Sequence, residues 1–135
     1  MLRSPHPTER LLASVSLFDG LKARDLRQLA PYVESTTARA GQALIHEDLP
    51  NQFTYIVVTG RLDVLVDGER VAGVGPDEIV GERTLLGERR ANATVTAAVD
   101  SEVLVLDHRA LRVITAEHPE IADRLQGVVA ARAAA

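Results

Sequence analysis

The sequence predicts a mainly β domain, an all-β sandwich or jelly roll flanked by helices at both ends. Apolar residues recur at helical spacing near the two termini, whereas between about residues 35 and 107 they alternate with polar residues. Turn-forming residues interrupt that middle region at roughly eight- to twelve-residue intervals, as expected of short antiparallel strands. We therefore divide a single domain, residues 1–135, into N-terminal helices over 8–33, a β-roll over 35–107 and C-terminal helices over 108–131.

The N-terminal region is predicted to form two helical pieces. Leu26 and Leu29 lie on one face of a helix, and Gly20 marks the break between the two pieces. The second piece begins without a strong signal, because Lys22 occupies the position at which Ser or Asp would cap a helix.

The middle region has the alternation and the turns of an antiparallel β protein. A run of aromatic and β-branched residues ends at Gly60, and the pair Asp67-Gly68 is typical of a two-residue hairpin turn. The strands predicted on these grounds cover residues 54–58, 62–66, 69–74, 93–99 and 102–106.

The C-terminal region is again helical. Leu111 and Ile114 predict one helix that stops near Pro119. A second helix is predicted from four apolar residues at helical spacing, Ile121, Leu125, Val128 and Val129.

Composition excludes several classes of function. Aromatic residues make up only 3%, too few for a platform that stacks nucleic-acid bases, and the net charge of −4 disfavours a surface for duplex DNA. The absence of cysteine excludes disulfides and thiolate chemistry. The apolar stretch over residues 11–18 is too short to span a bilayer and lacks a cleavage site, so we expect a soluble, cytoplasmic protein that binds neither nucleic acid nor membrane.

Residues 80–95 form the most informative segment. Gly81-Glu82 is followed by Leu85-Leu86, then by two arginines and the strand start Ala-Thr-Val. This order resembles the phosphate-binding cassette of cyclic nucleotide-binding domains, as in bacterial cyclic AMP receptor-type sensors. There a Gly-Glu-x-x-Leu-Leu segment precedes a loop and Pro-Arg-x-Ala-Thr-Val. The resemblance covers roughly residues 10–130 and implies a β-roll of cyclic nucleotide-binding type, with cyclic AMP or cyclic GMP as ligand and no required cofactor.

The resemblance also implies a role for each residue of the cassette. Gly81 lets the backbone approach the ligand, and Glu82 accepts a hydrogen bond from the ribose 2′-hydroxyl. Arg83 and Thr84 begin a short helix whose N–H groups face the phosphate, and the two leucines hold that helix on the β-roll. The predicted ligand-binding residues are Gly81, Glu82, Arg83, Thr84, Arg90, Ala91, Asn92 and Ala93, with no catalytic residue and no metal ligand.

The cassette departs from the family pattern at its centre. Ala91 stands where the phosphate-pairing arginine is expected, and Asn92 replaces a small residue. Arg90 lies one position early, and a shift of one residue points a side chain to the other face of an extended segment. Asp48 and Asp77 occupy turn positions where family members usually have glycine.

Two functions remain open. The first is a small regulatory or sensor module that binds a cyclic nucleotide or a related small anion without catalysis. The alternative is a degenerate domain that has lost its ligand and acts as a protein interaction module. The resemblance implies that the C-terminal helix covers the bound base, or packs against a second copy or a partner protein. A metal site of cupin type is disfavoured, because His46-Glu47 lacks a His-x-His pair, and the acidic pairs at 47–48 and 77–78 are interpreted as solvated turn charges.

Overall fold

The computed structural model describes residues 7–134, with side chains up to Val128, and within them it contains eight strands and five α-helices. The strands are β1 (Val33–Ala38), β2 (Ala43–Ile45), β3 (Phe53–Thr59), β4 (Leu62–Val66), β5 (Glu69–Val74), β6 (Ile79–Val80), β7 (Thr94–Ala97) and β8 (Ser101–Asp107). The helices are α1 (Pro7–Ala13), α2 (Ala23–Leu29), α3 (Glu82–Leu85), α4 (His108–Glu117) and α5 (Pro119–Ala134), with 3₁₀ turns at Ser16–Phe18 and Ala30–Tyr32. The predicted β-roll with flanking helices is confirmed; the division of all 135 residues into one domain stays a prediction.

The strands form two antiparallel four-stranded sheets. The first sheet has the order β1-β8-β3-β6 and the second the order β2-β7-β4-β5, so most neighbours are distant in sequence. The local exception is the β4–β5 hairpin, in which Val66 pairs with Glu69. Asp67 and Gly68 have φ angles of 51° and 82°, and positive φ at both central residues is the hairpin geometry that the Asp-Gly pair predicts.

The core has two parts because β3 and β8 are buried on both faces. Tyr55 and Val57 of β3 pack between the two sheets, whereas Ile56 faces the helices together with Leu104 of β8. Successive side chains of a strand point to opposite faces. Burial of both faces therefore explains why β3 is a continuous apolar run.

The terminal helices pack together on the outer face of the first sheet. Lys22 is the N-terminal cap residue of α2. Its backbone N–H donates to the Asp25 carboxylate, in the first turn of that helix, at 3.1 Å. On α5, Arg124 donates to the carbonyl oxygens of Leu17 at 2.9 Å and Asp19 at 2.8 Å. Ile121 and Leu125 are fully buried, as predicted, while the side chain of Val129 lies outside the described residues.

Two aspartates adopt left-handed backbone conformations at the turns where the family pattern has glycine. Asp48 has a φ of 67° and Asp77 a φ of 69°, a region that Asp tolerates better than most residues. Asp77 also has a structural role beyond that of a solvated charge. Its carboxylate accepts hydrogen bonds from the Ser16 N–H at 2.8 Å and from the Ser16 hydroxyl, and so ties the β5–β6 turn to the N-terminal helices. Among residues 7–134, none of the helices combines the length and apolar character that crossing a membrane requires.

Candidate functional site

A cavity of about 270 Å³ lies where α3 and the residues before β7 meet the β4–β5 hairpin. Its walls are mostly apolar, and its polar groups are concentrated on α3 and the neighbouring loops. The lining residues are Ile45, Asn51, Val64, Val66, Val71, Ala72, Val80, Gly81, Glu82, Arg83, Thr84, Ala91, Asn92, Ala93 and Val95.

The cavity brings together seven of the eight predicted binding residues. Gly81, Glu82, Arg83, Thr84, Ala91, Asn92 and Ala93 all line it. Arg90 is exposed and lies outside the lining; its Nη1 donates to the carbonyl oxygen of Asp48 at 2.6 Å. The predicted cassette therefore surrounds one cavity, with the side chain of Arg90 directed elsewhere.

Gly81 is required by both its conformation and its surroundings. Its φ is 93°, in the left-handed region that favours glycine. A Cβ atom at this position would lie 2.5 Å from the carbonyl oxygen of Phe53 and 3.1 Å from the amide nitrogen of Asn51. This close approach to the start of β3 allows the chain to turn directly from β6 into α3.

Glu82 opens α3 with no exposed surface. Nearby, Asn51 holds the turn together. Its Nδ2 donates to the Phe53 carbonyl at 2.7 Å and to the Thr84 hydroxyl at 3.2 Å, and that hydroxyl lies 3.3 Å from the Gly81 carbonyl. Sequence reasoning missed Asn51, because Asn after Pro in a loop is typical of any turn.

The two leucines of the cassette have different environments. Leu85 is buried among the side chains that face the helices, in agreement with a role in anchoring α3. The prediction that Leu86 is also a core residue was wrong, since 39% of it is exposed. Leu86 follows the last residue of α3, about 100° around the helix axis from Leu85, and its side chain is directed partly to solvent.

Ala91 occupies the expected arginine position and faces the cavity. Its N–H donates to the Leu49 carbonyl at 2.9 Å and its own carbonyl accepts from the Asp48 N–H at 2.8 Å, which fixes the backbone at this position. Ala91 is only 7% exposed. Ala91 lines the cavity, whereas Arg90 is exposed and its guanidinium lies on the Asp48 carbonyl, so the two neighbouring side chains point in different directions.

The lining contains one acidic and one basic side chain among the described residues. The acid is Glu82, and the base is Arg83, a quarter of whose side-chain surface is exposed. Arg83 Nη1 lies 3.4 Å from Glu88 Oε1. The described residues that line the cavity therefore include one acidic and one basic residue.

His108 supports the cassette from the side of α4. The ring is buried and its Nε2 lies 2.9 Å from the Thr54 hydroxyl. Burial lowers the pKa of His108 to about 4, with a smaller contribution from the charge of Arg112, while hydrogen bonds to the backbone of Gly81 and Phe53 oppose that lowering. The imidazole is therefore neutral at neutral pH and adds no charge to the site; the sequence held no spacing signal for it. Within residues 7–134, no three His, Asp or Glu side chains are grouped as a metal site.

Known proteins resemble this chain in both fold and sequence. A family model described as the cyclic nucleotide-binding domain matches residues 36–118. The regulatory domain of Toxoplasma gondii PKA, crystallised with cAMP, is 32% identical with a TM-score of 0.68; the match covers 79% of this chain and 42% of that one. A cyclic nucleotide-binding-like protein from Brucella abortus is 30% identical with a TM-score of 0.66, covering 81% of this chain and 97% of that one.

The Pycsar effector protein BcPycTIR of Burkholderia cepacia is 28% identical over 99 residues, or 73% of this chain. This chain spans only 33% of that relative's length. The family match extends over more than half of the chain and contains the whole cassette. The chain therefore belongs to the cyclic nucleotide-binding domain family.

Proposed function

We propose that this domain is a regulatory sensor module that binds a cyclic nucleotide, or a related small anion, in the cassette cavity and carries out no catalysis. The observation that carries the proposal is the cavity itself, whose mostly apolar lining brings together seven of the eight predicted binding residues, including the buried Glu82. A few converging polar groups in an apolar pocket are typical of small-molecule sites.

The ribose and the base of a cyclic nucleotide would each have a counterpart in this cavity. The ribose 2′-hydroxyl would donate to Glu82, and the base would contact the apolar wall. That wall consists of side chains from the β4–β5 hairpin, Val64, Val66, Val71 and Ala72. The Toxoplasma relative, whose structure was determined with cAMP, supports cyclic AMP as the first candidate ligand. Cyclic GMP is the second candidate.

The C-terminal helix is the proposed route to a second copy or a partner protein. Up to Val128, no residue of α5 lines the cavity. Instead, Arg124 holds the helix to the turn at Ser16–Phe18, and Ile121 and Leu125 pack into the helical layer. A ligand that rearranged α3, which packs against α4 and α5, would thereby change the surface that α5 presents.

The second candidate is a domain that has lost its ligand and acts as a protein interaction module. Ala91 favours it, because an alanine methyl cannot pair with a phosphate. A charge-assisted hydrogen bond contributes roughly 1.5–3 kcal/mol, so a missing arginine corresponds to about ten- to a hundredfold in affinity. The two candidates therefore differ in whether another group supplies that contact.

The experiment on the sensor proposal replaces Glu82 by glutamine and compares cyclic AMP with 2′-deoxy cyclic AMP. We expect Glu82→Gln to weaken cyclic AMP by about tenfold, because the hydroxyl loses a charged acceptor. Binding of the 2′-deoxy analogue should be unchanged, and Gln should preserve packing since it has nearly the same shape. Calorimetric titration gives both affinities. Equal affinities of the two proteins for cyclic AMP would remove Glu82 from the ligand site.

A further inference from the structure

Among the described residues that line the cavity, Arg83 is the basic one. The other two arginines of the cassette, Arg89 and Arg90, are exposed and do not line the cavity. Arg90 is engaged at the carbonyl of Asp48. At the family's arginine position, Ala91 offers no charge. A cation for a bound phosphate must therefore come from α3 rather than from the loop before β7.

The contact that Arg83 makes with Glu88 is one that a ligand can replace. Its Nη1 is 3.4 Å from Glu88 Oε1, and nearly half of the Glu88 side chain is exposed. Ion pairs of this kind are weak, because solvent screens them and both side chains lose freedom. A phosphate offers the planar guanidinium two oxygen acceptors in the geometry that it binds best.

We propose that Arg83 replaces the missing arginine at position 91 and pairs with the ligand's phosphate, exchanging Glu88 for the phosphate oxygens. This inference rests on the proposed function, since it assigns the phosphate contact of the same site. It makes Arg83 a specificity-determining residue for an anionic ligand. It also makes Glu88 a competitor for the same guanidinium.

The test titrates cyclic AMP, and adenosine as a probe without phosphate, into the unmodified domain and three variants. Arg83→Gln should lose at least about tenfold in affinity for cyclic AMP and none for adenosine. Glu88→Gln should bind cyclic AMP a few times more tightly, because the competing carboxylate is gone. Arg89→Gln, which removes an exposed arginine outside the cavity, is the matched control and should not differ from the unmodified domain.

A conservative variant and a folding control complete the experiment. Arg83→Lys retains the positive charge but lacks the planar guanidinium, so its affinity for cyclic AMP should lie between those of Arg83→Gln and the unmodified protein. Thermal denaturation without ligand shows whether each variant is folded. Unchanged cyclic AMP affinity in Arg83→Gln would overturn the assignment of Arg83 and leave the sensor function intact. If the unmodified domain binds no cyclic nucleotide, the proposed function fails and this inference fails with it.

Discussion

Replacing Gly81 by alanine should destabilise the domain by about 3 kcal/mol or more and abolish ligand binding. The left-handed backbone accounts for about 1–2 kcal/mol of this loss, since a Cβ atom is disfavoured there. The remainder arises from the carbonyl of Phe53, which would lie 2.5 Å from the new Cβ. Moving either backbone segment would displace Glu82 from the cavity wall, because Glu82 is the next residue.

Gly87→Ala is the matched control for this change. Gly87 also has a positive φ, 114°, but no atom lies within 4 Å of the position of its Cβ. We expect only the backbone contribution of about 1–2 kcal/mol there. Chemical denaturation of both variants measures the difference. Equal losses at the two glycines would show that the close approach of Gly81 to Phe53 does not constrain the cassette.

Introducing the family arginine with Ala91→Arg should raise the affinity for cyclic nucleotides by at least about tenfold in the Arg83→Gln variant, which lacks the proposed phosphate contact, and by less where Arg83 already makes it. Ala91 already faces the cavity and its backbone is fixed by hydrogen bonds to Asp48 and Leu49, so the new side chain would extend into the ligand space. The gain should shrink in high salt, as expected for a partly exposed ion pair. Isothermal titration at two salt concentrations measures both effects.

The same substitution also separates the two sources of the phosphate contact. If Arg83 makes that contact in the unmodified domain, Ala91→Arg should restore cyclic AMP binding to the Arg83→Gln variant. Arg90→Ala should have little effect, because the Arg90 side chain lies on the Asp48 carbonyl outside the cavity. Loss of binding in Arg90→Ala, with no gain from Ala91→Arg, would instead assign the contact to Arg90.

The fold could be predicted because its signals are local. Alternation identified β3, β4, β5, β7 and β8 but not β1 or β2. The Asp67-Gly68 pair identified the hairpin, and Pro119 separated the two C-terminal helices. The two-residue strand β6 was not predicted, since so short a segment carries no period. Its place in the sheet depends on pairing with Tyr55 and Ile56, which are distant in sequence.

The candidate site could be predicted only in part. The cassette motif identified the residues of one continuous segment, and the cavity brings seven of them together. Asn51 and His108 were missed because they reach Gly81 across the fold, where no spacing in the sequence connects them. The opposite orientations of Arg90 and Ala91 likewise depend on how the loop pairs with Asp48 and Leu49.

The most direct measurement on the central claim is thermal denaturation of the unmodified domain with cyclic AMP, cyclic GMP and cyclic dinucleotides. A ligand present at a hundred times its dissociation constant should stabilise the fold by about 2.7 kcal/mol. For a domain of this size, that corresponds to a rise in Tm of about 10 °C. A concentration-dependent rise with at least one cyclic nucleotide is the predicted result. An unchanged Tm with all of them, up to millimolar concentration, would contradict the sensor function and favour the interaction module.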